Sequence, residues 1–169
     1  NMMIERMAAP DGPTQGKIVR PSDGGAVNSV AFIQCAGSRD ENHLGYCSSI
    51  CCLASLKEAT YVREQYPDSK VYIFYIDLRT PGTYEFFSEK VLSDPNVSVV
   101  KGKVARIAED ATTGTLVVEA EDILSARKTT INVDLVVLAT GMASGVDPTQ
   151  TGLPVGYDSD AFILPDETA

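Results

Sequence analysis

No stretch of this 169-residue chain approaches the roughly 20 consecutive apolar residues that a membrane-spanning helix needs, so direct membrane insertion is not expected. Its opening, NMMIERMAAP, lacks the basic region and apolar core of a secretory signal, which points to a soluble, cytoplasmic chain. Positive charge is scarce. Lys and Arg number 14 against 23 Asp and Glu, a formal net charge of −9. Tracking the phosphates of a nucleic acid takes clustered cations, so nucleic acid is not an expected partner. The acids are scattered (Asp40, Glu41, Glu109, Asp110, Glu119, Glu121, Asp122, Asp158, Asp160), as on a solvated surface. Low-complexity tracts and solenoid-period repeats are also missing, and the length suits one compact domain.

Cysteines are few but unevenly placed. All four fall between Cys35 and Cys52, and Cys47, Cys51 and Cys52 crowd one short stretch. Without a sign of secretion, a disulfide scaffold is not expected. A tight cysteine group in a cytosolic protein points to metal or redox chemistry.

Residues 1–28 carry two turn-rich segments, Ala9–Pro13 and Pro21–Gly25, and read as a strap over something larger. The run Val30–Gln34 predicts a strand buried on both faces, ending at Cys35-Ala36-Gly37-Ser38. A helix is expected from Ser48 or Ser49, either of which could cap it, to about Tyr66, where Pro67 stops it. Its apolar Ile50, Leu53, Leu56, Ala59 and Val62 recur every third position and are expected to face a sheet. A second buried strand, Val71–Ile76, and a helix over Tyr84–Leu92 follow, then a strand at Val97–Val100.

Beyond that point shorter strands are expected at Val104–Ala108, Leu116–Ala120 and Lys128–Val133, with a hairpin turn at Thr113-Gly114. The last buried strand, Leu135–Ala139, ends in Thr140-Gly141. This order predicts an α/β fold: a Rossmann-like, NAD(P)-binding-type domain with a parallel sheet and an antiparallel meander, of the two-domain flavoprotein kind. Ligands of such sheets sit beyond the carboxyl ends of the strands, where Cys35 and Gly141 fall.

A nucleotide-binding turn would carry G-x-G-x-x-G after the first strand. The residues there are Cys35-Ala36-Gly37-Ser38-Arg39-Asp40, with one glycine and a cysteine in first position, so the shape of the module is expected without its nucleotide activity. Four thiolates meeting from a strand end and a helix start would suit a [4Fe–4S] cluster. Three other readings stay open on the residues alone: a redox dithiol pair, zinc with His43 as a substitute ligand, and thiols that merely pack. Arg39 and Lys57 are candidates to tune such a site, against ordinary surface pairing. Tyr46, Tyr72 and Tyr75 read as half-buried packing residues, and His43 as solvated. No Ser-His-Asp or paired-carboxylate arrangement is visible, so no catalytic acid or base is assigned.

The run Ile33–Asp40 followed by Tyr46-Cys47-Ser48-Ser49-Ile50-Cys51-Cys52 resembles the signature of the heterodisulfide reductase A-subunit family. Gly12–Thr14, Gly16–Gly24, Val71–Ile73, Asp77–Thr80 and Asp134–Met142 continue the resemblance, which covers roughly residues 1–145. Glu5–Pro10 and Phe74–Asp77 are most similar to one branch, the flavin-carrying A-type component of the quinone-interacting membrane-bound oxidoreductase complex associated with adenylylsulfate reductase.

The resemblance implies a thioredoxin-reductase-like parent carrying FAD, with Cys35, Cys47, Cys51 and Cys52 as ligands of a [4Fe–4S] cluster. It implies that the FAD fingerprint lies ahead of residue 1. On that basis 1–28 is a crossover from an FAD domain, 29–145 the dinucleotide-binding-like domain with the cysteine motif, and 146–169 the return crossover. Thr140 and Gly141 are expected to approach the flavin. The implied role is electron transfer in anaerobic sulfur or quinone-linked respiration. Implied partners are the other subunits of a membrane-associated redox complex, with adenylylsulfate reductase or heterodisulfide reductase subunits among them; the chain itself stays cytoplasmic. Two other functions remain in view: a degenerate nucleotide-binding domain kept for subunit interaction, and a pyridine-nucleotide-disulfide oxidoreductase.

Overall fold

In a computed structural model, residues 1–165 are described. The first strand, β1 (Ser29–Ile33), forms where Val30, Ala31, Phe32 and Ile33 give an unbroken apolar run, and all four are buried. Such a run needs cover on both faces. Val30 and Phe32 turn to a core shared with Leu56, Ala59 and Val62 of the long helix α2 (Cys51–Gln65). Ala31 and Ile33 pack instead against Val118, Ala120 and Val133 of the meander.

On one side β1 pairs in parallel with β2 (Lys70–Tyr75), which pairs in parallel with β3 (Val97–Lys101). On its other side it pairs in parallel with the last strand, β7 (Leu135–Leu138). The order is therefore β3-β2-β1-β7. The helix α3 (Glu85–Leu92) joins β2 to β3. Between β3 and β7 lies an antiparallel sheet of β4 (Val104–Glu109), β5 (Leu116–Asp122) and β6 (Arg127–Val133). Gly114 takes φ +68° in the β4–β5 turn, as that hairpin requires. The succession of elements along the chain and the division into a parallel sheet and an antiparallel meander match the sequence expectation.

Three details differ from it. The strap contains a short helix, α1 (Met2–Ala8), whose Ile4 and Met7 enter the main core. Its apolar side had only two anchors, too few to stand out beside the turn-rich residues that follow. Neither Ser48 nor Ser49 caps α2: the cap position is Ile50, without a side-chain hydrogen bond. Ser48 Oγ accepts instead from the Met142 N–H at 2.8 Å, and Ser49 adopts φ +59°. Third, the buried side of α2 runs through Cys52, Ser55, Leu56, Glu58, Ala59 and Val62. Ile50 is 52% exposed, and with Leu53 and Ala54 it lines an open hollow shared with Tyr84 and Phe87.

The strap is held to the core by polar bonds as well. Tyr66 Oη donates to the Ile18 carbonyl at 2.6 Å, and Gln65 accepts from the Ile18 N–H at 2.8 Å. Residues 146–165 carry no helix or strand of any length, only a bridge between Tyr157 and Ile163. The last four residues of the expected return crossover, 166–169, lie outside the described residues. Among the described residues, no helix is long and apolar enough to cross a membrane.

Candidate metal centre

The chain leaves β1 by Gln34, whose N–H still bonds the Phe74 carbonyl at 2.9 Å, and turns sharply at Cys35 with φ +56°. A left-handed backbone is uncommon for a residue other than glycine. Yet Cys35, Arg39 and Ser49 all adopt it within this one connection. Such conformations persist where the surroundings over-determine them, which is common at functional sites.

Here the surroundings are a knitted loop. Leu44 N–H bonds the Gly37 carbonyl at 3.2 Å, and Arg39 N–H bonds the Tyr46 carbonyl at 3.0 Å. The loop in turn is fastened to the end of β7. Ala36 N–H bonds the Ala139 carbonyl at 3.0 Å, and Tyr46 Oη donates to the Met142 carbonyl at 3.0 Å. At Gly37 any Cβ would stand 2.7 Å from the Thr140 carbonyl oxygen, so only glycine allows this approach.

The four cysteines meet at this edge. Cys35 (8% exposed) ends the central strand, while Cys51 and Cys52 (7% exposed) are the first two residues of α2. Cys47, half-buried, comes from the loop before them. All four are free thiols. They stand within electrostatic reach of one another. Burial first, then Cys35 and Cys47, push the Cys51 thiol above its ordinary pKa. Burial does the same to Cys52, with Cys35, Cys47 and Cys51 adding to it.

Backbone donors oppose that rise: the Gly141 N–H at Cys51 and the Arg79 N–H at Cys52. The Ser49 N–H faces Cys47 Sγ at 3.4 Å. Such donors would stabilise thiolates, and Cys52 Sγ, as a thiol, donates to the Asp77 carbonyl at 3.6 Å.

Four thiols at one edge are the donor set that an iron–sulfur cluster would require. Among the described residues, no three His, Cys, Asp or Glu side chains converge tightly enough for a single metal ion. A zinc tetrahedron with ~2.3 Å bonds would pull its sulfurs to about 3.8 Å apart. A four-iron cluster holds its four thiolates around a wider body. One orphaned group adds to the fit: Gln34, only 3% exposed, has neither amide atom hydrogen-bonded among the described residues.

The other expected residues separate clearly. Arg39 pairs with Asp77 at 2.9 Å. Its pKa is raised first by that bond, then further by Cys35 and Cys47, which places its charge beside the thiols. Lys57 pairs with Glu5 at 2.7 Å and lies over the Tyr61 ring, an ordinary surface role. His43 is exposed. Tyr46, Tyr72 and Tyr75 are half-buried, as expected for packing residues. Thr140 is exposed at the edge, and Gly141, at φ +97°, turns its N–H toward Cys51. Sequence reasoning missed the Gly141 and Arg79 donors, because backbone N–H placement leaves no residue signature, and missed Gln34, which reads as one more residue of the β1 run.

No protein-family model matches the chain. Curated relatives do. One is the second of two iron-sulfur A subunits of CoB–CoM heterodisulfide reductase in Methanopyrus kandleri, 39% identical over 165 residues, covering 95% of this chain and 25% of that protein. The corresponding iron-sulfur A subunit of Methanocaldococcus jannaschii is 40% identical over 158 residues, covering 92% and 24%. For the A subunit of ferredoxin:CoB-CoM heterodisulfide reductase from Methanosarcina mazei the identity is 43% over 146 residues, covering 83% and 18%. The chain thus spans about a quarter of the length of these relatives or less. Among solved structures, thioredoxin reductase from Lactococcus lactis aligns with a TM-score of 0.51 at 13% identity, over 83% of this chain and 39% of that one. Thioredoxin reductase from Streptococcus pyogenes gives 0.50 at 15% identity, over 82% and 39%. At such identities the likeness is one of fold, and the fold is that of the two-domain flavoproteins.

Proposed function

Over the segment they share, the chain belongs to the family of heterodisulfide reductase A subunits, and from that premise we propose that it is an electron-relay module of a larger oxidoreductase. In this reading Cys35, Cys47, Cys51 and Cys52 hold a [4Fe–4S] cluster. The observation that carries it is the meeting of four free thiols, from the end of β1 and the start of α2, with backbone N–H donors at three of them. The relatives' names, which describe iron-sulfur subunits, lend independent support.

When bound, the cluster would supply one-electron transfer; the chain's own residues hold, orient and shield it. Burial of Cys35 and Cys52 limits water at the sulfurs, which tunes the potential. Arg39 brings a positive charge beside Cys35 and Cys47, and charge near a cluster shifts its potential too. Left-handed backbone at Cys35 and Ser49 shapes the turn that brings Cys35 and Cys47 to the start of α2.

The longer protein would supply the rest: FAD in a preceding domain, Thr140 and Gly141 as the edge facing it, and residues 1–28 and 146–169 as the two crossovers. The thioredoxin reductase likeness supports the FAD expectation. Partners would be the other subunits of a heterodisulfide reductase-type complex in the cytoplasm. Glu5–Pro10 and Phe74–Asp77 favour the finer assignment to the quinone-linked, adenylylsulfate reductase-associated branch, whose complex is held at a membrane by its partners.

The test is anaerobic reconstitution with iron and sulfide, followed by iron and sulfide analysis and paramagnetic resonance of the reduced chain. Four irons per chain are expected, as the cluster type demands. Cys51→Ser and Cys52→Ser should each lose it. Failure to bind iron, or full retention in both variants, would refute the assignment.

A further inference from the structure

Three of the four thiols have a backbone N–H turned toward them: Ser49 at Cys47, Gly141 at Cys51 and Arg79 at Cys52. Cys35 has no such donor among the described residues. The residue just before it, Gln34, carries a spare one. Its side chain is 3% exposed, and neither Nε2 nor Oε1 has a partner among the described residues. A buried amide left unpaired is costly, so its persistence calls for an explanation.

Strand alternation says which way Gln34 points. Ala31 and Ile33 face the antiparallel sheet, whereas Val30 and Phe32 face the layer containing α2. Gln34 is still on the ladder, bonding the Phe74 carbonyl, so it continues the Val30–Phe32 side. That is the side on which α2 begins with Cys51 and Cys52.

We propose that Gln34 is a positioning residue of the metal centre, its side-chain N–H donating to a cluster sulfur on the Cys35 side and raising the reduction potential. The inference rests on the cluster reading above. When the site gains an electron its negative charge grows by one unit, so a donor hydrogen bond strengthens and the reduced form is favoured. Gln34 is neutral and releases no proton, so its contribution should not vary with pH.

Redox titration of reconstituted wild-type, Gln34→Leu and Gln34→Glu chains, monitored by paramagnetic resonance, tests this. Each variant should bind the same iron as wild type. In Gln34→Leu the midpoint should move negative by a tenfold change in the reduced-to-oxidised ratio, about 59 mV for one electron. The shift should be the same at pH 6.5 and 8. Gln34→Glu, which loses the donor and adds charge, should move at least as far. A second reading uses stability: Gln34→Leu should raise the Tm of the iron-free chain, where the amide is unpaired, and lower that of the loaded chain. An unchanged midpoint in a fully loaded Gln34→Leu chain overturns the inference while leaving the cluster reading intact. Failure of wild type to bind iron overturns both.

Discussion

Glu58 offers a sharp test of the packing beneath the site, because it is a carboxyl with no exposed surface. Burial dominates its pKa and pushes it from 4.5 up to about 7. The Asn1 amide, which donates to Oε2 at 2.8 Å, opposes that rise, as does Lys57; Glu5 adds to it. Oε1 has no partner among the described residues. Because the folded pKa lies above the unfolded one, the folded state holds a proton that the unfolded state has released between about pH 4.5 and 7. Stability should therefore fall as pH rises through that window and level off above it. Each pKa unit corresponds to about 1.4 kcal/mol, so ionised Glu58 costs at most on the order of 3 kcal/mol at pH 8. Glu58→Gln keeps an acceptor for Asn1 and removes the charge. Urea unfolding should show the variant more stable by about 1–3 kcal/mol at pH 8 and near parity at pH 4.5, with an unchanged m-value. Parallel stability curves for the two chains from pH 5 to 8 would refute the reasoning.

Other perturbations separate site from scaffold. Arg63 bonds the Asp94 carboxylate at 2.8 and 3.3 Å and the carbonyls of Tyr66, Pro67 and Ser69. Arg63→Met should cost about 2–4 kcal/mol in urea unfolding, since it strands several acceptors, and Arg63→Lys should recover little of it. The Asp94 pKa is lowered chiefly by that arginine, so its contribution should be present at neutral pH and fade as pH drops below about 4, beneath the Glu58 window. Gly141→Ala places a Cβ 3.0 Å from Ser48 Oγ at φ +97° and disturbs the Cys51 donor. It should lose reconstituted iron out of proportion to a ~1–2 kcal/mol fall in stability. At Gly102 a Cβ would meet the Glu121 carbonyl oxygen at 2.0 Å. Gly102→Ala should therefore lower Tm sharply, yet leave iron per folded chain unchanged.

The parallel sheet was legible because β1, β2 and β7 are short apolar runs, a pattern that needs no partner to be recognised; β1 is buried on both faces, whereas Leu138 at the end of β7 is 45% exposed. The cysteine grouping was legible for the same reason: it lies on the sequence itself. The inner face of α2 was legible only in part: Leu56, Ala59 and Val62 are buried as expected. Ile50 and Leu53 fit an apolar stripe, but the helix turns Cys52, Ser55 and Glu58 inward instead. Periodicity ranks residues by apolarity, and here that rank is overridden by polar groups with specific partners. Asn1 Nδ2 donates to both Ser55 Oγ and Glu58 Oε2 at 3.0 and 2.8 Å. The caps failed similarly. Ser48 is committed across the chain to Met142, a bond spanning 94 positions that local reasoning cannot see.

That same long-range bond bears on how the site differs from a nucleotide-binding turn. In the dinucleotide-binding version, a short glycine-rich turn lets a helix N-terminus meet the pyrophosphate. Here residues 34–50 intervene between β1 and α2, and the α2 start is taken up by Cys51 and Cys52. The helix N-terminus still favours negative charge, which thiolates can supply as well as phosphate. Closing so long a turn over thiols needs fixed anchors, and β7 provides them through Ala139, Thr140 and Met142. The carboxyl end of β7 would thus act on ligand geometry rather than on a nucleotide. This separates the cluster reading from a degenerate domain with inert cysteines. In an inert domain, Ser48→Ala would weaken only local stability. In a metal centre, the same change should also loosen Cys47 and Cys51 and speed iron loss to a chelator, a rate that stability alone does not govern.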